Sequence, residues 1–217
     1  HRIDYAGSLL LTGGGILLLL GLLEGGIRWA WTSPTSLALF GSALVLLVAF
    51  VLVERRAAEP VLPLWLLHHR VVVAAMAASL VVGVLMMGLT TYVPLYAQGV
   101  LGYGAVLAGF ALAAMTLGWP IAASNAGRLY LTIGFRATMS IGGFVSAAGA
   151  ALLLLVGPGS PLLLLALPCF VMGLGFGLVA SPSMVAAQSS VTWAHRGVAT
   201  GSTLFARSVG SAVGVAV

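Results

Sequence analysis

The sequence contains no lysine, a single cysteine and only four carboxylates in 217 residues. Charged residues make up 6% of the chain and hydrophobic ones 61%, a balance outside that of ordinary globular domains. The lone cysteine, Cys169, lies in an apolar run, which excludes a disulfide framework within the chain and leaves the redox compartment open. The carboxylates Asp4, Glu24, Glu54 and Glu59 stand between or at the edges of apolar runs, so no acid lies inside one. His68 and His69 have neither a cysteine nor a spaced carboxylate pair beside them, which argues against a metal site. No Ser/His/Asp or Cys/His constellation points to an enzyme. Gly173-Leu-Gly-Phe-Gly177 lacks the preceding strand and later acid of a dinucleotide fingerprint, so no cofactor is implied. The net charge of +5 comes from nine arginines scattered through short connectors, unlike the clustered basic face of a nucleic-acid binder.

What is present is hydrocarbon. Between Arg70 and Arg128 no side chain carries a formal charge. Crossing a bilayer core of roughly 30 Å takes about 20 residues at about 1.5 Å each, so this stretch is two helices and a turn. The turn falls at Gln98–Gly104, with spans expected over Val71–Ala97 and Ala105–Ser124. Lipid forbids unpaired backbone groups, and the apolar residues run continuously rather than alternating, so helices are expected and barrel strands are not. A second uncharged stretch, Ala137–Ala194, repeats the pattern: spans over Ala137–Val156 and Leu162–Val185 about a turn at Gly157–Pro161. Before these lie spans over Tyr5–Leu23 and Thr35–Val53; a seventh starts near Val198. The fold class is an all-α membrane protein of about seven transmembrane helices. His1 in place of Met, and Val217 within an apolar run, are expected of a segment of a longer protein. A signal peptide is the weaker reading of the first span, because Asp4 precedes it and no small-residue cleavage pattern follows.

The arginines assign the sides. With a cytoplasmic N-terminus, Arg2, Arg55, Arg56, Arg70, Arg128, Arg136 and Arg196 fall inside and only Arg28 outside, as the positive-inside rule requires. Arg207 is the exception, well inside the seventh span. A charge there costs a few kcal/mol unless it faces protein, a wet cavity or a partner. It is either a cavity or gate residue, or it snorkels to the surface from a helix that starts later. The pairs Gly173/Gly177 and Gly210/Gly214 read as close helix packing. Pro94 and Pro120, near the ends of the third and fourth spans, and Pro168 and Pro182, within the sixth, read as kinks or hinges. Tyr92, Tyr96 and Gln98 are belt residues or the outer rim of a cavity.

Several stretches, in order, resemble one family: the drug:proton antiporters of the major facilitator superfamily, in the fourteen-helix branch. They are Ile3–Gly7, Glu59–Leu64 ending in Arg70, Tyr92–Gln98 followed by Leu101–Tyr103 and Ala108-Gly109, Gly127–Leu129 with Gly134, Gly173–Gly177, and Gly197–Gly214 with its Arg207. The resemblance implies that residues 1–70 form two central linker helices with a cytoplasmic loop. Residues 71–217 would form the first five helices of the C-terminal transporter half. The N-terminal half and the last helix would then be missing from this chain. The third, fourth, sixth and seventh spans would line a central cavity, with the fifth peripheral. Met86, Met87, Tyr92, Phe110, Met115, Met172 and Arg207 are the cavity candidates, flexible methionines being suited to varied ligands. The motif Gly127, Arg128, Gly134 and Arg136 would form a charge latch in a cytoplasmic loop, but Leu131 and Thr132 stand where the family has Asp and Arg. The expected function is a segment of a plasma-membrane efflux transporter, exporting drugs or amphipathic metabolites against protons by alternating access. The other reading is a non-transporting membrane module, or a half-transporter needing a partner chain. The expected partners are lipid, a small-molecule substrate and the missing half, not nucleic acid.

Overall fold

The computed structural model describes residues 5–56 and 64–216. Arg2, Ile3, Asp4 and the Glu59–Pro63 part of the loop motif lie outside the described residues. Seven α-helices follow in order: α1 (Tyr5–Glu24), α2 (Pro34–Glu54), α3 (Arg70–Gly99), α4 (Ala105–Ile133), α5 (Phe135–Leu153), α6 (Leu162–Ser189) and α7 (Arg196–Ala216). Short 3-10 turns at Leu64–His68 and Trp193–His195 precede α3 and α7. Among the described residues there is no strand. Six helices, α1 to α6, are long and apolar enough to cross a membrane; α7, with Arg196, Arg207 and many small polar residues, is not among them.

The helix ends have local causes. Pro34 opens α2, where the Ser33 hydroxyl caps the Ser36 amide at 3.2 Å. At 30 residues α3 is about 45 Å long, more than the hydrocarbon core needs. The largest departure from expectation is at 125–136, expected to be a loop. Gly127 and Arg128 lie inside α4, which runs on to Ile133. Asn125 and Thr132, residue types that favour loops, instead turn their side chains to helix carbonyls: Asn125 Nδ2 donates to Ile121 O at 2.8 Å, and Thr132 Oγ1 to Leu129 O at 2.9 Å. Gly134 alone joins α4 to α5, at φ 86°, a left-handed conformation open to glycine. Arg136 then sits in the first turn of α5. Pro120 falls mid-way along α4, not near its end.

Packing falls into two matching pairs, α3 against α7 and α4 against α6, with α5 laid on α6 and the α1–α2 hairpin touching α7. Small residues set both crossings. A Cβ on Gly210 of α7 would strike the Leu80 backbone of α3, and one on Gly173 of α6 would strike the Met115 backbone of α4. The core lies between α3, α4 and α6, built from Val82, Leu89, Met115, Cys169, Met172 and Phe176.

The two ends of the bundle differ. One carries the exposed Arg55, Arg56, Arg70, Arg128, Arg136 and Arg196. There Leu66, fully buried, pins the loop before α3 onto Val72, Ala187, Val191 and Ala199, and Trp65 meets His195 edge-on at 5.2 Å. At the other end Tyr96 Oη donates to Val156 O at 3.2 Å and Tyr103 Oη to Ser160 O at 3.1 Å, tying the α3–α4 and α5–α6 turns together. Arg28, 3.9 Å from Glu24, is the one described arginine at that end.

Candidate functional site

Two cavities run end to end along the face that α3 shares with α5 over α6. The larger, about 1140 Å³, opens between Arg70 and Arg136 and deepens past Ser140, Ser146 and Phe176. The smaller, about 630 Å³, lies between Tyr92, Tyr96, Leu165 and Met172. Leu85 and Ala150 line both, so together they form one groove that follows α3 for most of its length. Its walls are apolar apart from the arginine mouth and a few serines.

This groove gathers only part of the candidate set. Tyr92 and Met172 line its smaller chamber. Met86 is half-buried against the core. Met115 is buried at the α4–α6 crossing, where its backbone faces Gly173. Met87 and Phe110 are exposed on the surface. The latch residues do not form a loop: Gly127 and Arg128 are on α4, Gly134 is the joint, and Arg136 reaches the groove mouth from α5.

Arg207 lies apart from the groove. α7 begins at Arg196, earlier than expected, which removes the reading of a later start. Arg207 is therefore eleven residues along the helix, roughly 16 Å from its start. Close packing fixes the backbone there, because Gly83 of α3 lets the Arg207 carbonyl approach where any Cβ would block it. The side chain reaches across to Trp119 at the middle of α4, with Cζ 5.6 Å from the ring centre. Trp119 in turn meets the buried Phe176 edge-on, with 6.0 Å between centroids. Arg207 Nε is shielded and has no hydrogen-bond partner. The guanidinium lies over the Trp119 ring, and among the described residues no carboxylate pairs with it.

Sequence reasoning passed over Trp119 and Phe176. For Trp119 no sequence signal was available: it lies near the end of the expected span Ala105–Ser124, where interfacial tryptophans belong, and it is central only because α4 continues to Ile133.

A family model for the Major Facilitator Superfamily matches residues 5–215. The chain is 33% identical over 99% of its length to the multidrug transporter protein MdtP of Bacillus subtilis, covering 40% of that protein. It is 34% identical over 99% of its length to the puromycin resistance protein pur8 of Streptomyces alboniger, covering 43% of it. With the tetracycline resistance determinant of Streptomyces rimosus it shares 32% identity over 89% of its length, covering 56% of that protein. The chain thus spans about half or less of these relatives. A match of this extent, on a bundle of long apolar helices with no strand among the described residues, places the chain in the major facilitator superfamily, a family of membrane transporters.

Proposed function

We propose that this chain is part of a proton-coupled efflux transporter for drugs or amphipathic metabolites, working by alternating access, in which two helical bundles rock about a site near the midplane. The observation that carries this reading is the near-complete match of the chain to relatives named for multidrug, puromycin and tetracycline resistance. In the whole protein, residues 1–70 act as two central helices and residues 71–217 as the first helices of the C-terminal half of a fourteen-helix transporter. The arginine-bearing end faces the cytoplasm, the chain sits in the plasma membrane, and the N-terminal half supplies the acid that carries protons.

Two structural features support the partnership with further helices. The first is the match between α3·α7 and α6·α4: α5 covers α6, yet among the described residues nothing covers the corresponding face of α3, where the groove runs. The second is Arg207, whose place mid-way along α7 costs a few kcal/mol if its side chain faces lipid and is favoured beside a wet cavity or a protein neighbour. Arg207 is the residue assigned to substrate contact in this half; Tyr92 and Met172 line the groove left for a further helix.

The test is drug export by the full-length transporter in a host stripped of its own pumps. Lower intracellular accumulation of an amphipathic dye, abolished by a protonophore, is expected. Accumulation equal to that of the empty host, with the protein confirmed in the membrane, overturns the reading.

A further inference from the structure

We propose that Arg207 and Trp119 together form a recognition spot for an amphipathic organic anion, a carboxylate carried on a flat apolar body. This rests on the transporter reading above and names its substrate class.

The argument starts from the charge. A guanidinium stays protonated under all ordinary conditions. Near mid-membrane it needs compensation of several kcal/mol from its surroundings. The described residues supply little of it. Glu24 is taken by Arg28 in the α1–α2 connector, and Glu54 closes α2 at the far end of that helix. The Trp119 ring face gives a cation–π contact, which reaches about 2 kcal/mol when desolvated. That contact uses none of the five N–H donors of the planar guanidinium fork. A carboxylate satisfies two of those donors at once and neutralises the charge.

The surroundings fix the rest of the ligand. Trp119 is half-buried and braced by Phe176, 1% exposed, so its ring is held without being fully enclosed. The Arg207 backbone is held as firmly, since Gly83 seats its carbonyl against α3. Two rigid helices, α7 and α4, thus hold a cation over an aromatic plane, leaving the N–H donors of the fork for a carboxylate and the uncovered part of the ring for the flat apolar body that carries it. Trp119 does two things: its ring holds the guanidinium toward the α4 side and offers an aromatic surface to the ligand's flat body.

The experiment uses the full-length transporter in lipid nanodiscs and two fluorescent probes, 1-pyrenebutyrate and its uncharged amide. Binding is read by fluorescence polarisation and transport in proteoliposomes. The wild-type protein is expected to bind the carboxylate more tightly. Arg207→Gln should weaken carboxylate binding by roughly tenfold or more, the loss of a charge-assisted contact, and leave the amide unchanged within about twofold. Arg207→Lys should recover part of the loss, and Trp119→Phe most of the preference that Trp119→Leu removes. Equal wild-type affinity for the two probes overturns the proposal, as does a loss of both probes alike in a folded Arg207→Gln protein. If that variant does not fold, Trp119→Leu decides: an unchanged carboxylate preference overturns the proposal, a reduced one upholds it. Absence of transport of either probe by wild-type protein counts against the transporter reading alone, because the binding ratio is measured separately.

Discussion

Replacing Gly210 by alanine adds one methyl group at the place where α7 touches α3. The new Cβ would lie 2.8 Å from the Leu80 carbonyl carbon and closer still to its oxygen, against an ordinary contact of 3.4 Å or more. Both atoms belong to backbone, so no rotamer change relieves the clash. The oxygen, the nearer atom, sets the displacement: the helices must separate by about 1 Å or more, and a gap of that size forfeits about half of the dispersion energy along the crossing. Overpacking of this kind costs about 1–3 kcal/mol. Gly201, one face away on the same helix, has nothing within 4 Å of its Cβ position. Alanine there gains helix propensity of up to about 1 kcal/mol and should be neutral or stabilising. The two substitutions are chemically identical and should differ in sign. Gly83→Ala would force the same separation from the other side, against Ser211 N at 2.9 Å, so the double variant should cost less than the sum of the singles. Thermal unfolding in mild detergent, followed by tryptophan fluorescence, measures all four. Equal midpoints for Gly210→Ala and Gly201→Ala would refute the crossing geometry.

Three further outcomes are expected. Leu66→Ala should destabilise the arginine end by about 2–5 kcal/mol, since the side chain is fully buried; faster proteolysis of the loop before α3, with the rest of the bundle intact, reports it. Gly134→Ala should cost about 1–2 kcal/mol because the joint sits at φ 86°, whereas Gly143→Ala, with open space at its Cβ, should not; the same unfolding assay compares them. Cys169, the chain's sole cysteine and fully buried, should resist maleimide in the native protein and react fully only after unfolding in SDS; fast native labelling would contradict the α4–α6 packing.

Much of the helix framework was legible because hydrophobic length is a strong signal. The uncharged run after Arg70 could only be two long helices, and α3 differs from its expected span by one residue at the start and two at the end. The extent of α4 was not legible. Asn125-Ala-Gly127 reads as a turn, yet the helix continues through it with the Asn125 side chain bonded to the Ile121 carbonyl, and the true break falls at Gly134. The glycine pairs on α6 and α7 read as packing sites, and Gly173 and Gly210 lie where backbones meet neighbouring helices. The candidate site was less legible. Periodicity does not say which helix faces which, so residue type alone marks the methionines as candidates, and Met115 is buried while Met87 is exposed. The contact between Arg207 and Trp119 joins α7 to α4 across the bundle, and no local pattern encodes it.

The central claim is that these helices thread a bilayer with the arginine-bearing ends on one side and the tyrosine-tied turns on the other. Single cysteines at Arg136 and Ser160, in a Cys169→Ser background, test it directly with a membrane-impermeant maleimide applied to intact cells and to inverted vesicles. The account predicts that Ser160→Cys labels only in cells and Arg136→Cys only in inverted vesicles. Labelling of both positions from the same side would contradict it.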